Sequence, residues 1–261
     1  MIPKTIHYCW FGGNPLPELA VKCIESWKKY CPDYEIVEWN ESNFDINCCD
    51  YAREAYEAKK WAFVSDVARL YALVNYGGIY MDTDVEVLQS LDPLLKFEGV
   101  SGFESKECIP TGLMACEKGH PLFRECLNEY DHVRFIKENG DFDTTTNVTR
   151  ITRLCIEYGL KLNGEKQIIN GLTLLPTEYL CPLNNSTGKL HVTEKTYTIH
   201  WFNGSWLSEL EHKSLLRSRK ISRIVGTKIG PLINAVIYNW QKGGLKLILS
   251  KIKRRFESSS N

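Results

Sequence analysis

Read for hydrophobic periodicity alone, the chain alternates between short runs of period two and longer stretches with helical spacing. Residues 5–11 are aromatic-rich and predict a first strand, ended by Gly12-Gly13-Asn14-Pro15. Apolar positions at Leu19, Cys23, Ile24 and Trp27 place a helix over residues 18–30, stopped by Cys31-Pro32-Asp33. Residues 34–39 alternate as a strand, and a helical run covers 51–60. Residues 61–76 form a strongly apolar helix closed by Gly77-Gly78, a left-handed cap followed by a turn. Residues 79–88 predict one continuous strand. Further strands are expected at 99–104, 112–116, 172–175 and 197–201, with helices at 121–130 and 147–158. Strands alternating with helices predict an α/β fold with a mostly parallel central sheet.

Composition changes this picture little: 261 residues, 43% hydrophobic and 25% charged, fit one substantial globular body with a small appendage. The distribution of charge changes it more. Formal net charge is zero, yet residues 213–261 hold twelve Lys/Arg against one acid, Glu257, a local balance of +11. Residues 1–212 carry the compensating −11. We therefore expect a body over 1–212 and a basic helical tail over 213–261. In the tail, Leu245, Ile248, Leu249, Ile252 and Phe256 share one helical face, while Lys246, Lys251, Lys253, Arg254 and Arg255 cover the rest. That is the pattern of a helix lying in a membrane interface, where each Lys/Arg near an anionic leaflet contributes about 1 kcal/mol. A terminal helix docked on the acidic body is the alternative. No apolar run reaches the roughly 20 residues that span a bilayer. The acidic body argues against nucleic acid as a partner. Ten cysteines are scattered through apolar stretches, with no Cys-x-x-Cys pair, and the N-terminus carries no signal pattern. The expectation is reduced, structural thiols in a cytoplasmic protein, peripheral on the inner face of the cell membrane.

The candidate chemistry lies between residues 61 and 84. Asp66 and Arg69 are the only charged residues of the predicted 61–76 helix, three apart on a face shared with Ala62, Leu70 and Leu73. Unpaired charges there are costly. Either the two satisfy each other as an intrahelical pair, or they face a polar ligand such as the hydroxyls of a sugar. Asp82-Thr83-Asp84 then places carboxylates at i and i+2, on one side of the expected strand. Two like charges side by side need a counter-charge, and hard oxygen ligands suit Mn²⁺ or Mg²⁺ with positions left open for phosphate oxygens. A lone Asp-x-Asp is weak, but the buried Asp/Arg pair upstream and the Gly-Gly turn between them strengthen it.

These segments resemble the DXD sugar-transferases of glycosyltransferase family 32 and, more distantly, the glucosyltransferase domain of large clostridial toxins. The resemblance rests on Ile2-Pro3-Lys4-Thr5-Ile6-His7-Tyr8-Cys9-Trp10-Phe11-Gly12, on Ala62–Tyr71 leading through Tyr76-Gly77-Gly78-Ile79-Tyr80 to Asp82-Thr83-Asp84, and on His200-Trp201 with Ser205-Trp206. It implies a GT-A fold with a Rossmann-like nucleotide-binding sheet. It also implies that Trp10 stacks on the donor's base, a contact worth about 1–3 kcal/mol. Asp66 and Arg69 hold the sugar hydroxyls and the diphosphate in this scheme, and Tyr80 lines the same pocket. Asp84 binds the metal directly, Asp82 reaches the metal or the ribose, His200 completes the metal site, and Ser205 and Trp206 close over the diphosphate. Taken without the resemblance, Trp10 is equally a core aromatic and His200 a structural histidine. Relatives often carry Asn before the Gly of the acceptor-side strand, where this chain has Thr111-Gly112.

The resulting expectation is a metal-dependent, retaining transferase. It moves a hexose or N-acetylhexosamine from a nucleotide-diphosphate sugar, UDP-sugar foremost, to a glycan or lipid-linked acceptor in surface polysaccharide synthesis. Two alternatives stand beside it. A phosphohydrolase of the haloacid dehalogenase type also uses Asp-x-Asp, but it wants Thr or Val where this chain has Glu86. A non-catalytic sugar- or membrane-binding relative is the other, and the intact Asp66, Arg69, Asp82 and Asp84 set argues against it.

Overall fold

The computed structural model describes the backbone of residues 1–204 and 207–258, and the side chains among them up to Leu245. Ser205 and Trp206, expected to close over a diphosphate, lie outside the described residues. So do the side chains on the expected amphipathic face beyond Leu245.

The chain forms two compact units. The first comprises residues 1–182 and 191–202. Its elements begin with β1 (Thr5–Cys9), α1 (Glu18–Tyr30), β2 (Glu35–Trp39), α2 (Asp50–Glu57) and α3 (Trp61–Tyr76). β3 (Gly78–Met81), β4 (Val85–Val87), β5 (Gly99–Gly102), β6 (Leu113–Cys116), α4 (Pro121–Asn128) and α5 (Asn147–Glu157) follow. β7 (Gln167–Ile169), β8 (Leu172–Leu175), α6 (Thr177–Leu180) and, after the excursion into the second unit, β11 (Thr198–His200) complete it. The second unit holds a small ribbon of β9 (Leu183–Asn184) and β10 (Lys189–Leu190) with α7 (Glu209–Val225) and α8 (Gly230–Ser258).

Seven strands make the central sheet in the order β2-β1-β3-β6-β5-β8-β7. β2, β1, β3, β5 and β8 run one way; β6 and β7 are reversed. The sheet is therefore mixed α/β with mostly aligned strands, as expected. Apolar residues on its two faces feed two clusters, one around Val67, Leu70, Leu73 and Met114, the other around Ile6, Trp27, Ile79 and Val85. α3 is apolar nearly all round because it is buried nearly all round: Val64, Ala68, Leu70, Ala72 and Leu73 are inaccessible.

The expected strand over 79–88 is corrected. The backbone N–H of Asp82 donates to Gly112 O at 2.8 Å, and Val85 N–H donates back to Asp82 O at 3.0 Å. A tight turn thus ends β3, and β4 leaves the large sheet to pair antiparallel with β11. Asp82 and Asp84 sit in this turn, not on one face of a strand. A continued strand would have carried both carboxylates into the sheet between apolar layers, where their desolvation is costly.

The position of the turn matters. β1 leads through α1 to β2 on one side, whereas β3 leads onward to β6 and β5 on the other. The connections leaving the C-terminal ends of β1 and β3 therefore diverge. That is the switch point where open α/β sheets bind ligands. Trp10 directly follows β1 and Asp82 directly follows β3, so both lie on this edge.

Candidate functional site

α3 projects Asp66 and Arg69 from its inner side, and their side chains keep only 9% and 7% of their surface exposed. Arg69 is the hub. Its Nη2 lies 3.4 Å from Asp66 Oδ1 and its Nη1 3.2 Å from Asp82 Oδ1. The same Nη1 donates to Thr111 O at 3.0 Å and to Thr111 Oγ1 at 3.3 Å, while Nε donates to Ser65 O. The guanidinium also stacks 4.6 Å from the centroid of the Tyr80 ring. Burial works against the charge on Arg69, but the surrounding Asp82, Tyr80 and Asp66 raise its pKa above the ordinary value. It stays a cation.

The intrahelical contact of the Asp66/Arg69 pair thus exists, and Arg69 also reaches out to the Asp82-Thr83-Asp84 motif. Burial pushes the Asp66 carboxyl up to about 6, against the pull of Arg69 and of the Asn147 N–H. Tyr80 lies on β3 and donates its hydroxyl to Asp82 Oδ1 at 2.8 Å. Its pKa is pushed well up by burial, which keeps it a donor. Asp82 therefore has one oxygen tied to Tyr80 and Arg69, and the other, Oδ2, turned toward His200 Nε2 at 4.0 Å.

His200 arrives from β11, paired with Val85 in register. Its Nε2 is 3.2 Å from Asp84 Oδ1. Burial alone would lower the histidine pKa, but the Asp84 carboxylate beside it holds it well above the usual value. Trp201 N–H donates to Asp84 O, fixing the turn to β11. One ligand atom from each of Asp82, Asp84 and His200 lies within 4.8 Å of the others, and this is the set of that kind found among the described residues. Two carboxylates and an imidazole are a donor set that fits a divalent ion: hard oxygens suit Mn²⁺ and Mg²⁺, and the nitrogen favours Mn²⁺ over Mg²⁺. The buried Cys181 thiol also meets the His200 ring and, like Asp84, favours its charged form.

Gly112 is the residue that makes room for this ring. A Cβ there would meet His200 Cε1 and Nδ1 at 2.6 Å. Gly112→Ala is expected to displace His200 and to lower Mn²⁺ affinity about tenfold or more, in the range found when groups supporting a metal ligand are disturbed. Calorimetric Mn²⁺ titration of the variant, folded by circular dichroism, checks this.

The structure brings Asp66, Arg69, Tyr80, Asp82, Asp84 and His200 into one connected cluster. Trp10 is half-buried on the same sheet edge, its Nε1 donating to Asn14 O at 2.6 Å and its ring packed beside the second apolar cluster. Cys9, just before it, is pushed up to about 12 by burial and sits beside Arg69 and Tyr80, which links the end of β1 to the cluster. Thr111 and Asn147 join the cluster although sequence reasoning does not place them in it. Thr111, noted only as a departure from relatives, holds Arg69 through both its carbonyl and its hydroxyl.

Residues 17–100 match the family described as "Glycosyltransferase sugar-binding region containing DXD motif". Among curated proteins, the chain is similar to inositol phosphoceramide mannosyltransferase 3 of Schizosaccharomyces pombe. The two are 33% identical over 138 residues, covering 51% of this chain and 38% of that protein. It is also similar to lactosylceramide 4-alpha-galactosyltransferase of Mus musculus, at 26% identity over 58% of this chain and 44% of the relative. The chain thus spans less than half the length of these relatives. Among solved structures, the PaToxG glycosyltransferase aligns with a TM-score of 0.45 and 19% identity, covering 60% of this chain and 69% of that one.

Proposed function

We propose that this chain, whose residues 17–100 match a glycosyltransferase sugar-binding region containing a DXD motif, is a metal-dependent, retaining glycosyltransferase. Its donor is a nucleotide-diphosphate sugar, UDP-hexose or UDP-N-acetylhexosamine foremost, and its acceptor a glycan or lipid-linked glycan of a surface polysaccharide. The observation that carries this reading is the Asp82/Asp84/His200 set joined through Asp82 to a buried Arg69 and Asp66.

Asp82, Asp84 and His200 would hold the metal, which when bound would neutralise the diphosphate and ease departure of the leaving group. Arg69 supplies a fixed positive charge behind the motif, on a guanidinium already oriented by Thr111, Ser65 and Tyr80. Tyr80 orients Asp82. Asp66 has one oxygen facing Arg69 and the other accepting from Asn147 N–H, an arrangement suited to receiving sugar hydroxyls rather than attacking carbon. That supports front-face attack, with the leaving phosphate taking the acceptor's proton, over double displacement. Trp10 offers its face to the base from the end of β1. Direct titration with UDP- and GDP-sugars tests the donor side: one donor is expected to bind with Mn²⁺ and not with EDTA. Binding unaffected by chelation contradicts the metal reading.

The membrane partner is supported by the second unit. α7 and α8 contact each other through polar groups: Asn234 Nδ2 donates to Ser214 Oγ at 2.9 Å, and Arg217 donates to Asn234 Oδ1 and Gln241 Oε1. Several apolar residues of the two helices and of the connection between them point outward. Ile224, Ile229, Leu232, Val236 and Trp240 are all more than half exposed. Among the described residues, no helix is long and apolar enough to cross a membrane. A hairpin with polar contacts inside and an apolar exterior, in a segment of net charge +11, is matched by an anionic bilayer interface. The full chain is expected to float with vesicles containing phosphatidylglycerol and to stay behind with pure phosphatidylcholine. The double substitution Val236→Ser, Trp240→Ser is expected to cut flotation by about tenfold or more, since each removes a large buried apolar side chain from the lipid. Flotation indifferent to both lipid charge and substitution contradicts this partner.

A further inference from the structure

We infer that Asn147, backed by Tyr130, is a positioning residue that fixes the plane of the Asp66 carboxylate and so sets which donor-sugar hydroxyls the site accepts.

The inference rests on the transferase reading and deepens it. α5 begins at Asn147, and the residue before it, Thr146, gives its first turn no side-chain cap. The opening amides of a helix must find acceptors elsewhere. Asn147 N–H finds Asp66 Oδ2 at 3.2 Å, across 81 residues of chain. The Asn147 side chain locks the same junction, its Nδ2 donating to Asp66 O at 2.7 Å. Its Oδ1 accepts from Tyr130 hydroxyl at 2.6 Å. Donor and acceptor ends of the amide are thereby both engaged, which admits one orientation of the group. Asn147 is fully buried and Tyr130 nearly so, so neither serves as a surface contact.

The consequence falls on Asp66. Oδ1 faces Arg69 and Oδ2 faces the N-terminus of α5, whose positive end favours the ionised carboxylate. Rotation of the carboxylate would break one contact or the other. The remaining lone pairs therefore point in fixed directions, and only sugars with hydroxyls along those directions are bound well. Arg150, one turn further along α5, is committed to Asp143 at 2.7 Å and stacks over Tyr130, which braces the same helix end. Deleting the Asn147 amide leaves the backbone N–H but frees α5 to move against α3.

The test compares the full chain with Asn147→Ala and Tyr130→Phe, using the UDP-sugar that the wild type binds best, its epimers, and free UDP, all with Mn²⁺. Asn147→Ala is expected to weaken the sugar donor about tenfold and to narrow the preference between epimers. UDP affinity is expected to stay within about twofold. Tyr130→Phe, which removes a single hydroxyl, is expected to shift donor and epimer preference in the same direction by a smaller factor, and it carries the test if Asn147→Ala does not fold. Equal loss of UDP and UDP-sugar marks a merely structural role and overturns the inference; so does unchanged epimer preference in both variants. A wild-type chain that binds no sugar donor with metal overturns the transferase reading itself, and this inference with it.

Discussion

Replacing Arg69 with Met is expected to abolish donor turnover and to lower stability by about 3–5 kcal/mol at neutral pH, the range seen when one partner of a buried ion pair is removed. The shape of the side chain is roughly kept, but the charge that balances Asp66 and Asp82 goes, and Thr111 O loses its donor. Arg69→Lys is expected to rescue little. An ammonium cannot reach Ser65, Thr111, Asp66 and Asp82 at once, nor lie flat over Tyr80. The pH dependence has a definite sign. Asp66 already binds its proton more tightly in the folded chain, pushed by burial to about 6 from its ordinary 3.8. Its contribution to stability therefore improves as pH falls through about 6 toward 4. Without Arg69 the preference for the protonated form grows. The stability gap between variant and wild type should be wider at pH 8 than at pH 5. Urea titrations at the two pH values check this, and an equal gap contradicts the placement of Arg69 as the counter-charge of Asp66.

Asp84→Asn is expected to lose about 10²–10³-fold in turnover, as when a single electrostatic contact to developing charge is deleted. Asn keeps the size of the side chain but removes a charge from the set that faces His200 at 3.2 Å. Metal affinity is expected to fall with turnover, while the fold is retained because Trp201 N–H is held by the backbone oxygen of Asp84 and not by its side chain. Single-turnover measurements at saturating Mn²⁺ separate the two losses. A variant with wild-type turnover removes Asp84 from the metal site.

Much of the fold was legible because period and punctuation agreed. α1 and α3 occupy the residues that their apolar spacing marked, bounded by Cys31-Pro32 and Gly77-Gly78. The 79–88 segment misled because its alternation runs on through Met81 into Val85 and Val87, although the ladder stops at Met81. The bond from Asp82 N–H to Gly112 O still follows the β3/β6 register; the bond from Val85 N–H to Asp82 O turns the chain away and spares two carboxylates the cost of burial in the sheet. β7 carried a local signal: Asn170-Gly171, with both residues at positive φ, is a hairpin turn between β7 and β8. The reversal of β6 carried none, since strand direction is decided by non-local pairing.

The site divides in the same way. Asp66, Arg69, Tyr80, Asp82 and Asp84 are close in sequence, and their types and spacing announce a charged cluster. His200 lies more than a hundred residues on and entered through resemblance, not spacing. Thr111 stands out in the sequence only as a departure from relatives, and Asn147 not at all, because their roles are hydrogen bonds to groups 42 and 81 residues away. Ordinary threonines and asparagines look the same until the fold closes.

A metal on the Asp82/Asp84/His200 set is proposed to make a nucleotide sugar labile. Release of free nucleotide from a panel of UDP- and GDP-sugars, with Mn²⁺ or with EDTA, tests it most directly. Slow hydrolysis of one donor is expected with Mn²⁺, accelerated by acceptor and abolished by EDTA. Nucleotide release that continues undiminished in EDTA, or metal-dependent release of phosphate from simple phosphomonoesters in its place, contradicts it.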